Sequence, residues 1–394
     1  MSKPRRTRSM VLVAIAMVAV FMGGVLPTPL YPLYHRTFHF GPVVLTWIYA
    51  VYVVGNLAAL LVFGRLSDQI GRRRAALPAL GVGLASTAVF ILAKGVAALF
   101  VARVLSGFAT GLGSGALTAW IAELQPRKDS HAGALAGAGF NFVGLAAAPL
   151  LSGVLAARAP SPLRLCYVIY LAVLVIGGAA VLGAKETVAR PKTPLAEISW
   201  RPRVGVPRGI RAQFVTPAVT VFVTFALFGF YAALIPGLLA ERLRQTSPLT
   251  AGLIASELFA VAALAVAAAR RLSRRAAMLT GLALFPLACG ALVWADVARS
   301  LPLLLIATVV GGAAGSLGYR GSLEVINAIA PADCRSQVVS SYLLASFGGN
   351  SLPVIGVGLL ASATSAILAH LVFAVVIGVL AVAGGVVGLR APAR

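Results

Sequence analysis

The chain has 394 residues, of which 60% are hydrophobic and 11% charged, with a mean hydropathy of +0.95 and a formal net charge of +23. That balance excludes an ordinary soluble domain, in which about a quarter of residues are charged. Apolar runs of roughly 20 residues without two-residue alternation predict membrane-crossing helices, not barrel strands, and hence an all-α polytopic membrane protein.

Twelve spans are predicted, near residues 11–34, 42–64, 75–94, 96–122, 131–157, 165–184, 213–239, 248–269, 276–295, 301–325, 337–361 and 365–389. The first follows a basic tail, MSKPRRTRS, as a secretory signal would. It is too long for one and ends in PTPLYPLY instead of a small-residue cleavage site, so it is expected to remain as the first helix. Between spans two and three runs GRLSDQIGRRRAAL, residues 64 to 77, a charged interruption in a nearly hydrocarbon sequence. The longest polar connection, 185–212, is rich in proline and arginine and separates the first six spans from the last six.

Most of the 33 lysines and arginines fall in the tail and loops of one side. The preference of such residues for cytoplasmic loops places both termini in the cytoplasm. The net charge then reflects topology and contact with anionic lipid, and a nucleic-acid surface is not expected. The cysteines, Cys166, Cys289 and Cys334, lie too far apart along the spans to imply a pair, and the four histidines lack metal-ligand spacing. No nucleophile elbow, phosphate loop or zinc-protease helix is present in the sequence. No catalytic residue, metal or cofactor is expected.

The halves repeat weakly. At a constant offset, Asp129 falls on Asp333, Gly144 on Gly348 and Pro149 on Pro353. Pro42 likewise pairs with Pro248, and the RLS of 65 to 67 pairs with that of 271 to 273. RRAAL at 73 to 77 then pairs with RRAAM at 274 to 278, leaving Asp68 to Arg72 without a counterpart. The expected organisation is two pseudo-symmetric six-helix bundles, 1–184 and 213–394, joined by a cytoplasmic linker, 185–212. Parallel repeats of this kind belong to rocking transporters with a midplane site.

The run from Gly64 through Asp68, Gly71 and Arg72 to Arg74 resembles the loop signature between the second and third helices of the major facilitator superfamily, G-x-L-[AS]-D-x-x-G-R-[RK]-[RK]. RVLSGFATG, with Arg103, Gly107 and Gly111, is similar to that family's fourth-helix pattern R-x-x-x-G-x-x-x-G. GLAAAPLLSG, with Gly144, Pro149 and Gly153, resembles the fifth-helix motif of the drug/proton antiporters. It departs from it in having Ala148 and Ser152 where glycines would stand. The resemblance implies the facilitator fold and a conformational latch at Gly64, Asp68, Gly71 and Arg72, in which Asp68 meets neighbouring helix ends. It also makes Arg103 a candidate in a proton relay.

The residues themselves add three readings. Charges inside spans cost about 2.5–3.5 kcal/mol near the centre and default to function or pairing. Glu257 is accordingly a candidate for proton coupling or for recognising a cationic substrate, with a solvated residue near the outer mouth or a partner for an arginine as the alternatives. Arg103 could instead snorkel to the interface, while Arg320 and Glu324, one turn apart, most simply pair with each other. Cavity candidates are the aromatics Tyr31, Phe228 and Tyr231 and the amides Asn56, Asn141 and Asn350, each an amide in an apolar span that needs a partner. Many aromatics and few fixed charges suit lipophilic compounds.

The expected function is alternating-access secondary transport, exporting small lipophilic or drug-like molecules against protons from a bacterial inner membrane. The alternatives are a metabolite importer or uniporter, and a non-transporting sensor or scaffold. The expected partners are a small-molecule substrate, protons and the bilayer, with the protein a monomer.

Overall fold

A computed structural model describes residues 3–64, 66–125, 130–188 and 204–390. Arg65, Asp129 and most of the expected linker, 189–203, lie outside the described residues. Twelve helices among the described ones are long and apolar enough to cross a membrane. They coincide with the twelve predicted spans, because each long apolar run must satisfy its backbone hydrogen bonds within itself.

The chain forms two compact units, one of Met1–Phe40 with Val51–Pro202 and one of Gly41–Ala50 with Arg203–Arg394. In the first, α1 (Lys3–Val25) packs on α6 (Val96–Leu124), α7 (Ser130–Arg158) and α8 (Pro162–Gly183), and α5 (Arg72–Ile91) packs on α6 and α8. Its largest fully buried side chains include Trp120, Tyr31, Tyr34 and Tyr167. The helix α3 (Pro42–Phe63) begins in the other unit's residues and continues into this one. In the second unit, α9 (Arg211–Ala233) packs on α13 (Leu301–Ile329), α14 (Arg335–Ala363) and α15 (Ala366–Arg390). There α12 (Arg274–Val297) packs on α13 and α15, and α11 (Pro248–Ala268) on α13. Valines and isoleucines such as Val175 and Ile176 on α8, and Val379 and Val382 on α15, are exposed, as a hydrocarbon surround requires.

Two spans expected to be single helices are broken. The first divides into α1, a 3₁₀ turn at Thr28–Leu30 and α2 (Tyr31–Phe38). The seventh divides at Leu234 into α9 and the seven-residue α10 (Ile235–Glu241). Pro27, Pro29 and Pro32 in one, and Pro236 in the other, lack the N–H that would continue the ladder. Each break falls in the first span of its half, and the carbonyls it frees lie among buried neighbours.

Candidate functional site

In the first unit the interrupting loop folds into α4 (Leu66–Ile70), Gly71 and the start of α5. Gly71 has φ +104° and ψ 151°, a conformation open to glycine alone. It turns the chain so that the first N–H groups of α5 point at a carboxylate. That carboxylate is Glu186, which accepts from the backbone N–H of Arg72 at 3.1 Å and of Arg73 at 2.9 Å. An acid at a helix N-terminus is favoured by the dipole and by the unpaired donors there.

Asp68 does something different. Its carboxylate, 62% exposed, takes Nη1 of Arg72 at 2.5 Å, one helical turn away. The buried Arg72 guanidinium also donates to Ser67 Oγ at 2.7 Å and, through Nε and Nη2, to both carboxylate oxygens of Glu123 at the end of α6. Thr187 Oγ1 donates to Glu123 and Arg73 to the Ala184 carbonyl. Trp120 Nε1 donates to Lys185 O at 2.9 Å, and Lys185 N–H to Ser9 Oγ at 3.3 Å. Three acceptors, the Glu123 and Glu186 carboxylates and the Ala184 carbonyl, thus tie the signature to α6 and to the first residues after α8. Arg72 sits between the carboxylates of Asp68 and Glu123, the geometry in which arginine's planar fork is used fully.

Deeper in this unit lies Arg103, which is completely buried. Nη1 donates to Gly24 O at 2.9 Å, and the guanidinium carbon sits 4.6 Å from the centre of the Tyr52 ring. It therefore does not snorkel. Asn56 Nδ2 donates to Tyr52 Oη at 3.3 Å. The two glycines that follow Arg103 allow α6 to lie against α3: a Cβ on Gly107 would fall on the Tyr52 carbonyl, and one on Gly111 would come 2.6 Å from Asn56 O. Gly144 does the same for α7 against α1, where a Cβ would lie 2.8 Å from Val18 O. Pro149 and Gly153 are buried in α7, and Ser152 bonds the Ala148 carbonyl at 3.0 Å.

In the second unit Tyr231 is buried on α9 and its Oη accepts from Thr308 Oγ1 at 3.1 Å. Glu257, half-buried in the middle of α11, interacts electrostatically with Tyr231, and its Oε2 has no hydrogen-bond partner among the described residues. The Phe228 ring fills the space above Gly315 and lies 5.4 Å from the Phe259 ring. Asn350 Oδ1 accepts from Tyr49 Oη at 2.9 Å. Of the six cavity candidates, Tyr31, Asn56, Phe228, Tyr231 and Asn350 are buried in helix packing, and Asn141 is half-buried with its Oδ1 unpartnered.

Arg320 pairs with Glu324 at 3.0 Å and also donates to the carbonyls of Ala269 and Leu272, at 2.5 and 3.1 Å, beyond the end of α11. The loop without DQIGR is thus held by a guanidinium from α13. The matching place in the equally long α6, 29 residues like α13, is Gly115, which lies against the Gly64 carbonyl.

Sequence reasoning missed Glu123, Glu186 and a buried pair of interactions around Asp296, which accepts from Arg242 Nε at 2.8 Å and lies 2.7 Å from His370 Nδ1. Their partners are 51 to 114 residues away along the chain, beyond any helical or loop period. Among the described residues no group of three or more His, Cys, Asp and Glu side chains is placed to hold a metal, and the three cysteines are free.

The family model of the Major Facilitator Superfamily matches residues 13–273. The chain belongs to that superfamily, and is a multi-pass membrane protein with the fold of a secondary transporter. Over 153 residues it is 28% identical to the drug efflux pump JefA of Mycobacterium tuberculosis, in strains CDC 1551 / Oshkosh and H37Rv alike. That stretch is 39% of this chain and 30% of JefA. Two solved structures share the fold at 17% identity. One is a bacterial homologue of the human lysosomal transporter Spinster, with TM-score 0.71 and full coverage of both chains. The other is the human organic anion transporter MFSD10 (TETRAN), with TM-score 0.72, covering 97% of this chain and 99% of that one.

Proposed function

We propose that the protein is a bacterial inner-membrane exporter that exchanges protons for small lipophilic or drug-like molecules by alternating access. In this reading it acts as a monomer with both termini cytoplasmic, its two halves 1–184 and 213–394 joined by the linker 185–212. The observation that carries the reading is Glu257, a half-buried acid in an apolar helix whose Oε2 finds no hydrogen-bond partner among the described residues. A carboxylate left so is costly as an anion, and it is relieved by a proton or by a cationic solute. The match to part of a drug efflux pump supports export of this substrate class. Arg103, buried on α6 against Tyr52, is proposed to belong to the same relay, and Asp68, Gly71 and Arg72 to the conformational latch.

The test is proteoliposome flux of a lipophilic cation dye with and without a pH gradient. Wild type is expected to accumulate dye only with the gradient, and Glu257→Gln to lose gradient-driven accumulation while keeping dye exchange. Undiminished gradient-driven accumulation by Glu257→Gln overturns the assignment. The uniporter reading has one observation in its favour: Ala148 and Ser152 replace the glycines of the fifth-helix motif, and Ser152 spends its hydroxyl on its own helix. Downhill flux indifferent to pH is its signature. Asp68→Asn with unchanged transport and unchanged inward–outward balance would remove the latch.

A further inference from the structure

The buried group around Asp296 serves neither the loop signature nor Glu257. Asp296 closes α12 and is 2% exposed. Its Oδ1 is held by Arg242, which caps the seven-residue α10, and its Oδ2 by His370 of the 25-residue α15, whose ring centre lies 5.3 Å from that of Phe230. One carboxylate is therefore shared between a permanent cation and an imidazole, the side chain whose charge changes between about pH 5 and 8.

Charge balance decides what a proton does here. With His370 neutral and donating from Nδ1, Arg242 and Asp296 cancel and the site is uncharged. With His370 protonated, two cations would face one anion in a buried place, and an uncompensated buried charge is strongly unfavourable. One cation must leave. His370 is buried in the second turn of a long helix, whereas the Arg242 side chain is already 17% exposed and caps a short helix after the break at Leu234. Arg242 is the one that can be rehydrated.

We propose that Arg242, Asp296 and His370 form an acid-opened clasp whose ligand is a proton: taken up by His370, it displaces Arg242 from Asp296 and frees α10. The proton adds to the imidazole and no other covalent bond is made or broken; with Arg242 released, the charges of His370 and Asp296 cancel and the site stays neutral in both states. The other charged or titratable groups on the elements packed there are few. Glu241, Arg244 and Arg299 are exposed on the adjoining turns. On α9, Tyr231 is bonded to Thr308. Cys289 is buried about two turns down α12, and Glu257 lies on α11 near Tyr231. On α13, Arg320 and Glu324 are paired with each other. None of these meets Asp296 in place of Arg242. The inference is independent of the role given to Glu257.

The test is hydrogen–deuterium exchange of the full-length protein in nanodiscs at pH 5.5 and 7.5, corrected for intrinsic exchange chemistry. The reporters are the amides of Arg242 and Leu243, bonded to Leu238 O, and of Gln245, bonded to Leu239 O. Loss of a charge-assisted bond predicts exchange about tenfold faster at the acid pH in the wild type. His370→Gln keeps a donor for Asp296 but cannot charge, so its protection is expected to stay at the pH 7.5 level throughout. Arg242→Gln is expected to exchange fast at both pH values. Equal wild-type protection at the two pH values overturns the proposal, as does a tenfold acid effect that persists in either variant.

Discussion

Gly71→Ala isolates the turn that aims α5 at Glu186. Two costs can be worked from the geometry. A residue with a side chain at φ +104° and ψ 151° is held in a region essentially reserved for glycine, at about 1–3 kcal/mol. The added Cβ would also lie 3.0 Å from Glu186 Oε2. The carboxylate must then shift and loosen its bonds to the Arg72 and Arg73 amides, and a bond to a charged group contributes about 1.5–3 kcal/mol when intact. Partial exposure of Glu186 reduces the second term. Together they give about 2–4 kcal/mol of destabilisation, measurable by unfolding the purified protein in mixed micelles. Glu186→Ala alone is expected to cost about 1–3 kcal/mol. The double variant should fall short of the sum, because the clash exists only while the carboxylate is present, and only the backbone strain is left over. A Gly71→Ala protein within about 0.5 kcal/mol of wild type, or strictly additive single changes, would refute this account of the turn.

Four further outcomes are expected. Arg103→Lys keeps the charge but loses the flat guanidinium over Tyr52, and should lower stability by about 1–3 kcal/mol in the same assay; an unperturbed variant contradicts the packing described for it. Gly111→Leu should prevent α6 from seating on Asn56 and Ala59, giving little monodisperse protein on gel filtration, and a normal elution profile would contradict that seam. Arg320→Met should cost clearly more than Glu324→Gln in thermal unfolding, since the arginine also serves the Ala269 and Leu272 carbonyls while the glutamate is partly hydrated; equal effects would mean that the ion pair is its whole role. Partial burial, with the charge and hydrogen bond of neighbouring Asp333, holds the Cys334 thiol above its ordinary range. Maleimide labelling of Cys334 at pH 7 should therefore be slow and should quicken in Asp333→Asn, and an identical rate in both would count against the role of Asp333.

The spans were legible in the sequence because the bilayer imposes a length and a composition on every one of them. The loop signature was legible because its residues, Gly64 to Arg74, are contiguous in the sequence. The breaks at Pro27–Pro29 and at Pro236 were readable as prolines but not as breaks, since a membrane helix often absorbs a proline, as α5, α7, α9, α12 and α14 do here. The acid at the start of α5 was out of reach for another reason. Asp68 stood next to the helix in sequence, whereas Glu186 reaches it only because α8 returns the chain to the same end of the bundle. Asp296 and His370 were hidden in the same way: each reads alone as an unremarked polar residue near a span end.

The two solutions for the loops after the second span of each half differ in what they depend on. The second half clamps its loop with Arg320, a residue of its own helix α13, whereas the first half relies on Glu186 and Thr187, beyond the end of α8. Cutting the protein into two co-expressed fragments is therefore an asymmetric operation. A break placed within 189–203 leaves each fragment its own clamp, but a break directly after Gly183 hands Ala184, Glu186 and Thr187 to the second fragment and leaves the first only Glu123. The usable border for building split or hybrid transporters from this chain lies several residues past the last membrane helix of the first half.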